Sequence, residues 1–377
     1  MSDEAIAKTE HLQCGMTEAR INELGGIVIN KLLAYRSLIW SATDVWEDFN
    51  IDKAIVVSDF ETNVTGRMLY INNQYEQIKG VNTVSIKHTD GVGIILPGKF
   101  DFKNAMVRGV WIKGLLSEFD VIEFCKVHGV EPVVKDAWGK EHNLVEEDIE
   151  VIFFASQFKL WNYYKDFEEY KYYYKLYNCH MCLTNFEDKY IKDVPMNYQF
   201  LQQLRDMTDD EVDELTRPTY DSIVKLSKDI PTMLRVMRAD ESSSSAYSQA
   251  LASYNELLRE AYSKDTLRAI KKRMILDAKS GRLQSRSKRL YVIPDFYAVC
   301  EWLFLGNENP NGLLAADEVA CRMFSKYDEV DVLRSPSLYF EHRVEKVSHS
   351  PEVDHWFKTN AIVTSCKSLI SKVLQFD

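Results

Sequence analysis

The chain lacks any apolar run approaching the roughly 18 residues that a membrane-crossing helix needs. Its start, Met1-Ser2-Asp3-Glu4-Ala5, is acidic and has none of the basic-then-apolar form of a secretion signal. A cationic excess is also missing. Lys and Arg number 46 against 57 Asp and Glu, which leaves −11. Bulk charge therefore offers no argument for nucleic acid, though it leaves room for a local basic channel. With 9 prolines and 15 glycines in 377 residues, collagen-like and low-complexity chains are excluded. The 7 cysteines are odd in number and scattered, which suits free thiols in a reducing cytoplasm better than a disulfide framework. No Gly-x-Ser-x-Gly elbow occurs, and His349 and His355 form no His-Glu-x-x-His helix, so common hydrolase chemistry has no footing. What remains is the composition of a globular protein, 46% apolar and 27% charged, long enough for roughly two to three domains.

The first stretch reads as helical, with Thr17 as cap and Ile21, Leu24, Ile27, Val28, Leu32 and Leu33 at helical spacing. From about Asp52 strand-like runs take over. They include Ala54–Val57, Met68–Ile71, Thr83–Ile86, Val92–Leu96, Ala105–Val107 and Val151–Phe154. Beyond a Tyr- and Phe-rich block the text is helical to about 280. A Thr208-x-x-Glu211 box opens one helix, which Pro218 is expected to interrupt. Asp240–Ser245 is linker-like, and one long helix is expected from Ala246 to Lys279, stopping at Gly281. Strands resume at Leu290–Ile293 and Asp331–Leu333, and no repeat appears at solenoid periods.

Several candidate sites read more plainly as structure. Gly93–Phe100 has the Gly-x4-Gly-Lys spacing of a phosphate loop, but Phe100 stands where a Ser or Thr belongs, so a strand and its turn is expected. Cys179-His180-Met181-Cys182 has no second pair at zinc-finger distance, which favours buried cysteines. The aromatics from Phe158 to Tyr177 suit a core at least as well as a base-stacking platform. Basic charge concentrates in one place: Lys264, Arg268, Lys271, Lys272, Arg273, Lys279, Arg282, Arg286, Lys288 and Arg289 face only Asp265 and Asp277. That stretch is either a solvated helix face or a phosphate-tracking surface.

Segments in a fixed order carry a resemblance. Thr89-Asp90-Gly91-Val92-Gly93 is followed by Arg108-Gly109-Val110-Trp111-Ile112-Lys113-Gly114, then by Ser156-Gln157-Phe158-Lys159. Arg334-Ser335-Pro336 comes much later, and Asp377 is the final residue. This order resembles the cellular RNA-dependent RNA polymerases of RNA silencing and their bacterial and phage two-barrel relatives. Those proteins carry Thr-Asp-Gly-x-Gly, Arg-x4-Lys-Gly, Ser-x-x-Lys and Arg-x-Pro elements and an Asp-x-Asp-Gly-Asp metal loop.

The resemblance implies an α+β fold with two double-psi β-barrels, the second incomplete. Residues 1–78 would form an N-terminal α/β region and 79–160 the first barrel. A helical insert would span 161–287, with the basic stretch at 264–289, and the second barrel would start at 288–377. It also implies RNA-directed RNA synthesis, in which an RNA 3′-hydroxyl attacks a nucleoside triphosphate with magnesium stabilising the charge. Lys113, Lys159 and Asp377 would be catalytic, with Asp377 a magnesium ligand. Arg108 and Arg334 would position nucleotide or template. Because one carboxylate cannot hold two metal ions, an incomplete or split chain, inactive alone, is expected, with a complementary polypeptide as partner. The remaining expectations are an RNA or DNA template, nucleoside triphosphates, no membrane, and the cytoplasm of a bacterial or phage-infected cell. A DNA-templated polymerase of the same fold and a non-catalytic nucleic-acid-binding protein are the alternatives. An unclosed barrel would also leave Ala361–Val363 and Leu369–Leu374 as an open apolar edge.

Overall fold

The structure, a computed structural model, describes residues 4, 8–37, 43–72, 74–187, 191–239, 245–334 and 342–374. Asp377, residues 335–341 of the Arg-x-Pro segment and residues 240–244 of the linker-like stretch lie outside the described residues. One compact unit is drawn from Met1–Lys189, Leu290–Val332 and Arg343–Asp377, and a second from Tyr190–Arg289 and Leu333–His342.

The strands of the first unit follow the apolar runs of the sequence. They begin with β1 (Asp44–Val45), β2 (Ala54–Val57), β3 (Glu61–Ile71), β4 (Gln77–Lys87), β5 (Val92–Ile95), β6 (Asn104–Arg108), β7 (Lys113–Glu118), β8 (Val133–Lys135), β9 (Glu141–Asn143), β10 (Val151–Phe154) and β11 (Cys182–Phe186). Later come β12 (Val292–Pro294), β13 (Glu318–Ala320), β14 (Glu329–Leu333), β15 (His342–Val347) and β16 (Ile362–Thr364). A seven-stranded sheet has the order β1-β11-β6-β7-β5-β10-β2, and a five-stranded sheet the order β12-β16-β13-β15-β14. β3 and β4 form a separate long hairpin, and β8 and β9 a short one.

The two sheets repeat one plan. In the first, β2 runs parallel to β10, β10 antiparallel to β5, and β5 parallel to β7, with β6 beyond β7. In the second, β12 runs parallel to β16, β16 antiparallel to β13, and β13 parallel to β15, with β14 beyond β15. The registers agree as well. Val57 pairs with Phe154 and Ile293 with Val363, and an aspartate follows two residues after the first member of each pair, at Asp59 and Asp295. A serine likewise follows two residues after the second member, at Ser156 and Ser365. The Leu115 amide donates to the Gly91 carbonyl at 2.8 Å, and its counterpart Ser348 donates to Val319 at 2.9 Å. Short sequence similarity underlies this, Val56-Val57-Ser58-Asp59-Phe60 against Val292-Ile293-Pro294-Asp295-Phe296.

Alternation of side chains along a strand gives the first sheet two buried faces. Ile55, Val57, Ile94, Ile152 and Phe154 face a core that also takes in Ile293, Phe296, Val299 and Trp356, so both sheets share it. Ala54, Val56, Ile95, Val151 and Phe153 face the other way, onto Trp111, Phe158, Tyr164, Phe167 and Tyr170. Burial on both faces is why these strands read as unbroken apolar runs. Much of the aromatic block is therefore core, with Phe158, Tyr164, Phe167 and Tyr170 all buried.

The expected mixed α+β fold is seen, with no closed barrel among the described residues. Several other expectations need correcting. The first sheet takes in β2, which lies ahead of the boundary expected at 78/79. The first helical stretch is broken at Gly25 and Gly26, whose φ values of 108° and 75° leave helices Glu18–Glu23 and Ile29–Arg36. Pro218 does not stop its helix, which runs Asp209–Lys225. It stands on an exposed face, where water can satisfy the carbonyl that proline leaves without a donor. The helix expected over 246–279 is two, Ala246–Ser253 and Ala261–Lys279, separated at Tyr254 in extended backbone. Local propensity yields there to a small core of Leu251, Leu258, Met237 and Ala239. The open apolar edge expected at Ala361–Val363 and Leu369–Leu374 is not found among the described residues. β16 is paired on both sides, Ala361 and Val363 are buried, and residues from Ile370 to Leu374 form a short helix instead of a strand.

Candidate active site

Three of the sequence segments converge at one end of the first sheet. Arg108 closes β6 and Lys113 opens β7, and they stand directly opposite in register. The turn between them holds Trp111 at φ 63°, a strained setting for a bulky residue. Its fully buried ring and an indole bond to the Gln13 carbonyl at 2.8 Å hold it there. The Trp111 carbonyl accepts the Lys159 amide at 2.8 Å, and Ile112 bridges Phe158. The backbone of Lys159 thus lies opposite Trp111, and that of Gln157 opposite Lys113. The Lys159 ammonium donates to the Ser156 carbonyl at 2.8 Å. Like charges opposite one another in a strand pair cost stability, and Lys113 has no ion-pair partner among the described residues. A sheet end built this way suits an anion.

A buried glutamine interlocks the same three segments. Gln157 accepts the Phe154 amide at 3.1 Å and donates to the Leu115 carbonyl at 3.0 Å. A side chain at Gly93 would overlap the Gln157 amide oxygen and the Ile152 carbonyl. One at Gly114 would overlap the Gln157 amide nitrogen and the Gly91 carbonyl. Both glycines are there to admit the amide.

Beneath these turns lies Asp59, which follows β2. Its carboxylate accepts the Ser156 amide at 2.9 Å, the Ser156 hydroxyl at 2.6 Å and the Thr89 hydroxyl at 3.1 Å. The Gly91 amide in turn donates to the Ser156 hydroxyl at 3.2 Å. Burial raises the Asp59 carboxyl above its usual range, against the opposing pull of Ser156, Lys87 and Thr89.

The other candidates fall elsewhere. Arg334 belongs to the second unit, and Asp377 is outside the described residues. Among the described residues no three His, Cys, Asp or Glu side chains are placed to hold a metal ion. The Cys179–Cys182 pair is free thiols, with Cys179 buried. Lys99 of the phosphate-loop look-alike pairs with Asp148 at 3.0 Å and Glu150 at 3.6 Å, so it closes a turn. Within the second unit the basic stretch is partly neutralised. Arg268 pairs with Asp265, Arg273 and Arg282 with Asp277, and Lys288 with Asp193. Lys264, Lys272, Lys279, Arg286 and Arg289 have no ion-pair partner among the described residues.

Sequence reading missed Asp59, the plugging role of Gln157 and the doubled plan of the sheets. A comparison of the chain with itself over five-residue windows, free of any fixed period, would have found the Val56–Phe60 and Val292–Phe296 pair.

No family model matches the chain. It is 42% identical over 372 residues to the DNA-directed RNA polymerase YonO of Bacillus phage SPbeta. The match takes in 97% of this chain and 44% of that relative, so the chain spans less than half of the relative's length. The chain is similar, over nearly all of its own extent, to part of a phage DNA-directed RNA polymerase.

Proposed function

We propose that the chain forms part of a template-directed RNA polymerase, in which Arg108, Lys113 and Lys159 receive the phosphates of an incoming nucleoside triphosphate. The 42% identity across 97% of the chain carries this reading. That relative is DNA-directed, which favours DNA as the template over the RNA template that the motif order alone suggested. The repeated strand plan supports a pair of double-psi barrels. The facing of Arg108 and Lys113 at a half-buried sheet end, with Lys159 on the adjoining segment, supports phosphate contact, because preorganised charge is worth more there than in water. Asp377 would supply one carboxylate to a magnesium ion, and the described residues contain no donor set for it. The cations of 264–289 would track the template backbone.

The test is equilibrium binding of a fluorescent nucleoside triphosphate with magnesium. The chain should bind it, and Lys113→Ala should weaken binding about tenfold, the scale of one lost charge-assisted contact. Absence of binding by the folded chain, or binding indifferent to both Lys113→Ala and Lys159→Ala, overturns the proposal. DNA binding measured against salt tests the template contact: Lys271→Ala, Lys272→Ala and Arg273→Ala together should flatten the log–log slope by about 2 to 3.

A further inference from the structure

We infer that Asp59 is a positioning residue for this site: its one carboxylate ties the turn of Thr89–Gly91 to the turn of Ser156–Lys159 and so braces the turn that sets Lys159 opposite Trp111, on the segment flanking Lys113. The inference rests on the nucleotide-binding reading above. Asp59 acts through its neighbours Ser156 and Thr89, with Lys87 at 3.7 Å as its ion-pair partner. One oxygen takes the Ser156 amide, and the other takes the Ser156 and Thr89 hydroxyls. Ser156 then accepts the Gly91 amide at 3.2 Å. The two turns come from chain segments far apart in sequence. No backbone hydrogen bond is found directly between Thr89–Gly91 and Ser156–Lys159 among the described residues. Cut the carboxylate, and the Lys159 turn keeps its bond to Trp111 and its links through Gln157 and the Ser156 hydroxyl, but loses the contacts that hold the Ser156 amide and hydroxyl in place.

The second sheet argues that this brace is a built device. At the matching position Asp295 accepts the amides of Tyr297, Ala298 and Leu313 at 3.1, 3.2 and 2.7 Å. It therefore pins the segment entering β13, as Asp59 pins the segment entering β5. Ser365 reaches that same segment through the Leu314 carbonyl at 2.9 Å. Only the first sheet adds a direct aspartate–serine contact and follows it with a lysine of the Ser-x-x-Lys type.

Asp59→Asn tests the network, because whichever way its amide turns, a donor replaces the acceptor of either the Ser156 amide or the Ser156 and Thr89 hydroxyls. Ser156→Ala removes the hydroxyl relay, and Ser156→Thr restores it. With magnesium–ATP as the probe, Asp59→Asn should raise Kd about tenfold at a temperature where it remains folded. Ser156→Ala should raise Kd about threefold, and Ser156→Thr should bind as the parent does. Amide hydrogen exchange should quicken at Gly91 and Lys159 in Asp59→Asn, with β12–β16 unchanged. Cys300→Ala, in the helix Phe296–Leu305, serves as a variant destabilised away from the site and should keep the parent Kd. If Asp59→Asn and Ser156→Ala lower the melting temperature but leave Kd and the exchange at Lys159 untouched, the positioning role is overturned while the nucleotide site stands. If the parent chain binds no magnesium–ATP, the nucleotide reading falls and takes this inference with it.

Discussion

The two sheets of the first unit share a strand order and differ in what fills it. Where the first places Gly93, Gly114 and Gln157, the second has Cys321, Val347 and Cys366 at the matching registers. The charge differs too. Lys113 stands opposite Arg108, whereas its counterpart Lys346 is paired with Asp317 at 2.7 Å. An apolar filling stabilises by area alone and tolerates repacking. A buried amide between two glycines fixes geometry, because each of its bonds has a direction and each unmade bond costs. Rigidity and two facing cations thus coincide at one end of the first sheet, whereas in the second Lys346 is answered by Asp317.

The sharpest way to break the comparison is Gly114→Val, which writes the second sheet's residue into the first. It should cost about 3 kcal/mol or more, since neither the Gln157 amide nor the Gly91 carbonyl can give way. Urea unfolding measures this, and a loss under about 0.5 kcal/mol would show that the amide is no plug.

Asp295 offers an effect of similar size through pH. Burial pushes its carboxyl up to about 6, although the amides of Leu313, Ala298, Leu314 and Tyr297 pull the other way. The folded state then holds the proton more tightly than the unfolded chain, whose aspartate titrates near 3.9. Stability from this group is therefore greatest below about pH 4 and falls as pH rises to about 6, by about 3 kcal/mol. Asp295→Asn should remove that part of the slope. Parallel pH–stability curves for the two proteins would contradict it.

Gln157→Leu should cost about 2 kcal/mol by stranding the Phe154 amide and the Leu115 carbonyl. Cys366→Ala, its second-sheet counterpart, should cost about 1 kcal/mol, since it loses apolar area and only a weak thiol contact to Pro310. Equal losses would erase the distinction between directed and undirected filling. The smallest effects concern charge. Lys113→Ala should stabilise by up to about 0.5 kcal/mol through relief of Arg108, while Lys346→Ala should destabilise by no more than that. Opposite signs in paired thermal melts are the prediction.

Strand positions were legible because β2, β5 and β10 are buried on both faces, so their apolar runs are continuous. The grouping of Arg108, Lys113 and Lys159 was legible through motif order. The breaks were harder to see. Tyr254 ends a helix with no Gly or Pro to announce it, and Pro218 sits where an interruption is expected yet the helix continues. In both cases tertiary packing or solvent access decides, and neither is written in local sequence. Asp59 escaped notice for a related reason. Its partners Thr89 and Ser156 are distant in the chain and meet only once the sheet is assembled.

The most direct measurement is affinity labelling with an ATP analogue that carries a pyridoxal aldehyde at its phosphate end, trapped by borohydride and mapped by mass spectrometry. Label on Lys113 or Lys159, prevented by excess ATP, is the predicted result. Label on Lys346 with equal protection, or none that ATP prevents on either of the first two lysines, would contradict the assignment of phosphate binding to the first sheet.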